Sequence, residues 1–346
     1  MIKWLFESKS DTAILDKFGK TAFQIAIELG NINSAQSLAR YHQNEIDVFY
    51  HHAIQCKQIR IAKLLSDIYD ANVNSIDNKY QQTPLHTALS TQFKPEIDII
   101  EDLITEHQID VNVTDGAGNT PLHICAMYNH IDMVRLLAGA NPHIYNNEGL
   151  MPLHIATGRS LTEIAIQLVR MYGAKVNAAT AETGITAFEV AIICRSMVPF
   201  LTMLIELGAA IEPNLLHVAV NHDDYNLLEF LNNYIHISHT TGCLLLNMAI
   251  YLKHLKIAEY LISNFGVSKN LLHLAAKSNN VEFLLLALKY SDDINPLDSL
   301  DQTPYDVANA LQHKQMCRIL WGRGGRGVVT REPGHRLRTI VSMYHE

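Results

Sequence analysis

The chain has 346 residues, 48% of them hydrophobic and 18% charged, with mean hydropathy near zero, which excludes a compositionally disordered chain. The formal charge of −8 is uneven: residues 318–346 carry six Arg against Glu332 and Glu346, so the first 317 residues stand at −12, a poor match for nucleic acid. No apolar run reaches the roughly 20 residues that span a bilayer, and Trp4, Leu5 and Phe6 make too short an apolar core for an export signal.

In chain order, the first element is TAFQIAI at residue 21, followed by VFYHHAI at 48, TPLHTAL at 83, TPLHICA at 120 and MPLHIAT at 151. TAFEVAI at 186, NLLHVAV at 214, LLLNMAI at 244, NLLHLAA at 270 and TPYDVAN at 303 complete the series. The ten starts lie 26 to 37 residues apart, which is solenoid spacing.

Each step reads as a helix N-terminus. Thr21, Thr83, Thr120, Thr186 and Thr303 place a capping hydroxyl, and Pro84, Pro121, Pro152 and Pro304 follow where a missing N–H costs nothing. Five residues into every step stands Ala, or Cys125 in one copy, so close packing against neighbouring helices is expected there. A second apolar helical stretch follows in most copies, as in EIAIQLV (163–169) and KIAEYLI (256–262). Gly139, Gly173, Gly208 and Gly266 end such stretches as left-handed caps. Polar turn-formers such as DGAGN (115–119) and NNEG (146–149) separate the units.

The T-P-L-H-x-A step at this period resembles the ankyrin-repeat family, over roughly residues 10 to 320. The resemblance implies an all-α solenoid of about ten helix-turn-helix units with degenerate outer copies, occupying residues 1–320. It also implies that His51, His86, His123, His154, His217 and His273, at the fourth position of their steps, hydrogen-bond between neighbouring turns. Gln24, Glu189, Asn247 and Asp306 keep polarity at that position in the other copies.

Candidate chemistry is sparse. Cys125 lies near His123 but fills the buried small-residue slot, where a thiol is inert. Cys56 and Cys194 lie eight residues into their steps, at more exposed places, with no base at suitable spacing. His217, His222 and Asp223, or His236 and His239, supply too few ligands for zinc. No catalytic residue, cofactor or metal is therefore expected. The five cysteines, with Cys243 and Cys317 as the remaining two, are scattered without a CxxC pair and fit a reducing, cytoplasmic setting.

The function expected of such an array is a non-enzymatic interaction scaffold that binds a partner protein through its concave groove and loop tips. The partner-binding candidates are Tyr128 and Arg159, eight residues into adjacent steps, joined by Tyr80 and Asn147 in the preceding loops. The +8 series also includes Thr91. Similar arrays occur in host-directed effectors of intracellular bacteria, which would place the chain inside a host cell. A monomer without membrane contact is expected. Two alternatives stand beside this reading: an enzyme site assembled across the degenerate 214–270 region, or nucleic-acid association through residues 321–346. That tail holds five of the 17 Gly and five Arg and reads as a separate, flexible Arg/Gly-rich segment.

Overall fold

The computed structural model describes residues 14–77, 79–90, 95–107, 109–265 and 270–328. Thr91, Gly266 and the tail from 329 onward, with Arg331, Arg336 and Arg338, lie outside the described residues. Among the described residues there is no β-strand; isolated antiparallel bridges, Leu15 to Thr21 and Ala179 to Thr186, close two loops. The fold is all-α, and the ten expected copies correspond to ten helix pairs.

The chain divides into two compact units between Ala210 and Ile211. The amino-terminal unit holds six pairs: α1 (Ala22–Glu28) with α2 (Ile32–Ala39), α3 (Ile46–Gln55) with α4 (Ile59–Tyr69), α5 (Pro84–Leu89) with α6 (Ile97–His107), α7 (Pro121–Tyr128) with α8 (Ile131–Leu136), α9 (Pro152–Gly158) with α10 (Thr162–Arg170), and α11 (Ala187–Ile193) with α12 (Val198–Glu206). Its first helices pack in series, α1 on α3, α3 on α5, α5 on α7, α7 on α9 and α9 on α11. The carboxy-terminal unit holds α13 (Leu215–Asn221) with α14 (Tyr225–Asn232), α15 (His239–Leu252) with α16 (Leu255–Phe265), α17 (Leu271–Ser278) with α18 (Val281–Tyr290), and α19 (Pro304–Ala310) with α20 (Lys314–Gly322). There α13 packs on α15, α15 on α17 and α17 on α19, while the second helices form a parallel row.

The capping logic holds at the atomic level. Thr186 Oγ1 accepts from the Glu189 N–H at 3.3 Å and Glu189 returns the bond to the Thr186 N–H at 2.8 Å; Thr21 with Gln24 and Thr303 with Asp306 repeat it. The small-residue slot is buried in every copy, from Ala53 at 0% exposure to Ala88 at 9%. First helices can then approach each other closely, and larger groups have no room.

Hairpin fingers precede the first helix where the spacing is long enough. Each is organised by a polar side chain five or six residues before the step: Asp77 Oδ1 accepts from the Tyr80 and Gln82 N–H groups, Asp115 from Ala117 and Asn119, and Asn146 from Glu148 and Leu150. Two residues before the step the backbone turns left-handed, at Gly19, Gly118, Gly149 and Gly184 but also at Gln81 and Asp301. A Cβ at Gly118 would stand 2.5 Å from Asn147 Oδ1, so glycine is required there for space as well as for φ.

Two sequence expectations change. The steps at 48 and 244 are not helix starts: α3 begins at Ile46 and α15 at His239, capped by Ser238, and Gly242, buried inside α15, lies so close to Phe265 that a Cβ would meet its side chain at 3.2 Å. The boundary placed at 320/321 falls within α20, and the first part of the tail closes back on its own unit. Asn295 accepts from the Arg326 N–H at 2.7 Å and donates to the Gly324 carbonyl at 3.2 Å, the pattern by which Asn177 holds Ala210 and Gly208. The Arg326 guanidinium lies 4.2 Å above the Trp321 ring.

Candidate functional site: the interaction face of the amino-terminal unit

The recurring histidines come first, because they decide how much titratable chemistry is left for a site. His86 Nε2 donates to the Asn119 carbonyl at 2.9 Å, and His123 Nε2 to that of Leu150 at 3.0 Å. Their Nδ1 atoms accept from the N–H groups of Thr83 and Thr120, the tautomer this network requires. His51, His154 and His273 reach the carbonyls of Ser75, Ala178 and Gln302. Nδ1 of His154 likewise accepts from the Met151 N–H at 3.0 Å, whereas Nδ1 of His51 and His273 is left without a partner. His217 departs from the expectation and is exposed, because α14 runs on to α15 without a finger to offer its ring a carbonyl.

A second histidine row was not read from the sequence. His130, His254 and His313, ten residues into their steps, donate to the carbonyls of Leu89, Val220 and Ala276, each six residues into the preceding step. They donate to carbonyls of the last turns of the preceding first helices, where the regular helical ladder runs out. Their recurrence at the tenth position was visible in the sequence.

Burial sets the protonation of four of these rings. Desolvation holds His86, His154 and His51 below the ordinary imidazole range and lowers His123 to about 4. These rings are neutral structural donors at neutral pH. Cys125 is fully buried, which pushes its thiol up. Cys56 has a base that the sequence reading missed: His52, one turn earlier on α3, places Nε2 3.8 Å from Cys56 Sγ, with Glu28 Oε1 3.5 Å from the same nitrogen. Burial raises the Cys56 thiol, Glu28 raises it further, and burial lowers His52, so the pair stays thiol and neutral imidazole. Among the described residues, no three His, Cys, Asp or Glu side chains are placed to hold a metal.

The four partner-binding candidates all lie in the amino-terminal unit, at opposite ends of its first helices. Tyr128 ends α7, is 38% exposed and stacks on His130 with ring centroids 5.8 Å apart. Arg159 caps α9, which packs on α7, so the two residues end neighbouring first helices. Tyr80 and Asn147 are on fingers. There the Gly116 N–H donates to the Tyr80 carbonyl at 3.1 Å, the Asn147 N–H to Ala117 at 3.0 Å and the Ala181 N–H to Gly149 at 2.9 Å, which ties four fingers into a row. Asn147 also donates its side chain to the Gly116 carbonyl at 3.1 Å, so part of its polarity serves the row itself. The expected single patch is therefore two rims, separated by a first helix of about 12 Å at 1.5 Å per residue.

Helix pairs stacked at a fixed step, joined by fingers and by histidines that donate to a neighbouring copy, define a helical-repeat interaction protein. Residues 50–146, 91–180 and 122–214 each match the family described as Ankyrin repeats. Residues 50–214 of the chain are therefore ankyrin repeats. The chain is 32% identical over 141 residues to the Nuclear factor NF-kappa-B p105 subunit of Gallus gallus, covering 38% of this chain and 14% of that protein. It is 27% identical over 210 residues to NF-kappa-B inhibitor zeta of Bos taurus, covering 57% and 27%, and 26% identical over 173 residues to the B-cell lymphoma 3 protein homolog of Mus musculus, covering 49% and 32%. The chain thus spans less than a third of each of these relatives. No helix among the described residues is long and apolar enough to cross a membrane.

Proposed function

We propose that this chain is a non-catalytic protein-interaction module that holds a partner protein between the two rims of the amino-terminal unit, with Tyr128 and Arg159 on the turn side and Tyr80 and Asn147 on the finger side. The observation that carries this is a division of labour. Histidines, threonines and small residues inside the stack are consumed by inter-copy bonds and packing, whereas Tyr80, Tyr128, Asn147 and Arg159 are exposed on a rigid repeat frame. Ankyrin repeats are protein–protein interaction modules, and the similarity to a protein named as an inhibitor of NF-kappa-B supports a regulatory use of binding. All five cysteines are free, which supports work in a reducing compartment such as the cytoplasm.

The test is affinity capture with the full chain against the full-length Tyr128→Ala/Arg159→Ala and Tyr80→Ala/Asn147→Ala variants, read by quantitative mass spectrometry. A protein retained by the parent and lost from a folded rim variant supports the reading. Equal capture by parent and both variants overturns it.

A further inference from the structure

We infer that the turn-side rim of the amino-terminal unit is built for an acidic segment of a partner protein, with two carboxylates flanking an apolar side chain. This rests on the interaction reading above and specifies the chemistry of what is bound.

Two neighbouring turns carry it, the one between α9 and α10 and the one between α11 and α12. Ser160 Oγ and Ser196 Oγ lie 2.7 Å apart, and Gly158 packs so that a Cβ would touch Val190 at 3.4 Å, so the two turns abut. Left-handed residues, Ser160 and Arg195, set the backbone of both. Each turn projects one guanidinium, Arg159 and Arg195, and both side chains are exposed with no acidic partner among the described residues. The nearest carboxylates in sequence are engaged: Glu163 with Arg135 at 3.6 Å and Gln167 at 3.2 Å, and Glu189 in the cap of α11.

The rest of the unit makes this pair unusual. Residues 1–210 carry 22 Asp and Glu against 15 Lys and Arg, so two adjacent unpaired guanidiniums stand against the net charge of their surroundings. Beside them Ile193 is 53% exposed and Met197 80%, apolar surface that gains from being covered. Arg and Met are both enriched at protein interfaces, and a guanidinium matches a carboxylate in bidentate geometry. Packed helices lie about 8–10 Å apart, so the two charges suit carboxylates about 10 Å apart, three residues along an extended strand or two turns along a helix. Two cations are too few for a nucleic-acid backbone, which rewards a longer basic track.

The experiment is selection of a displayed random 12-residue peptide library on the full chain, on the full-length Arg159→Glu/Arg195→Glu variant, and on the Tyr80→Ala/Asn147→Ala variant, with circular dichroism to confirm folding. An acidic, apolar-containing pool from the parent and the finger variant, whose affinity drops at least roughly tenfold on charge reversal, supports the inference. An Arg159→Lys/Arg195→Lys chain should keep part of that affinity. A pool without acidic bias, a pool indifferent to charge reversal, or no enriched pool overturns the inference. A pool lost only from the finger variant also overturns it while leaving the interaction module standing, and the capture experiment decides that module separately.

Discussion

Acidifying the solution from pH 7 to pH 5 should weaken the amino-terminal unit by about 2 kcal/mol through His123 alone, since one unit of pKa shift corresponds to about 1.4 kcal/mol. The ring is fully buried, donates to the Leu150 carbonyl and accepts from Thr120, and desolvation lowers it from 6.5 to about 4. Above pH 6.5 the imidazole is neutral folded and unfolded, and its contribution is complete. Below 6.5 the unfolded chain takes up a proton that the folded chain refuses, so stability falls until the folded ring also protonates near pH 4. His86, His154 and His51 shift in the same direction and add to the slope. Urea unfolding followed by circular dichroism at pH 7 and pH 5, at matched ionic strength, measures the loss. In His123→Gln the difference between the two pH values should shrink by about that 2 kcal/mol, although the variant is weaker at pH 7 for want of its bonds. An undiminished pH difference in a folded His123→Gln chain would refute the assignment of the slope to this ring.

Three further outcomes follow from the packing. Ala156→Leu and Ala275→Leu should each cost about 1–3 kcal/mol, because both side chains are fully buried between neighbouring first helices; thermal unfolding reads the loss. Gln81→Gly should stabilise the chain by about 0.5–1 kcal/mol, since Gln81 occupies, at φ 50°, the left-handed finger position that glycine holds at 19, 118, 149 and 184; the urea midpoint should rise. Exposed Cys194 should react with maleimide in the native chain, whereas buried Cys125 should react only on unfolding, as peptide mass mapping over time would show.

The sequence by itself determined the period, the phase and the helical class. Capping threonines, the prolines after them and the recurring alanine act within one copy or between a copy and its neighbour, so they are legible as a repeated string. The bridging histidines at 86, 123 and 154 were legible for the same reason. His217 was not, because its bond depends on whether a finger follows, which is set by the length of the connection and not by the step. His130, His254 and His313 recur visibly, but their acceptors are backbone carbonyls, which carry no side-chain signature.

What only the tertiary structure decided concerns groups brought together from different copies. The fingers bond to one another through main-chain atoms, which separates Tyr80 and Asn147 from Tyr128 and Arg159 by the length of a helix. Arg195 entered no sequence candidate, because it stands nine residues into its step; the contact of Ser160 with Ser196 places its turn beside that of Arg159. Residues 324–328 looked foreign by composition, yet their Gly and Arg close on Asn295, Asp306 and Trp321. Composition reports side chains, whereas the bonds to Asn295 and Asp306 use main-chain N–H and carbonyl groups of the tail, and only the Arg326 contact with Trp321 depends on a side chain there.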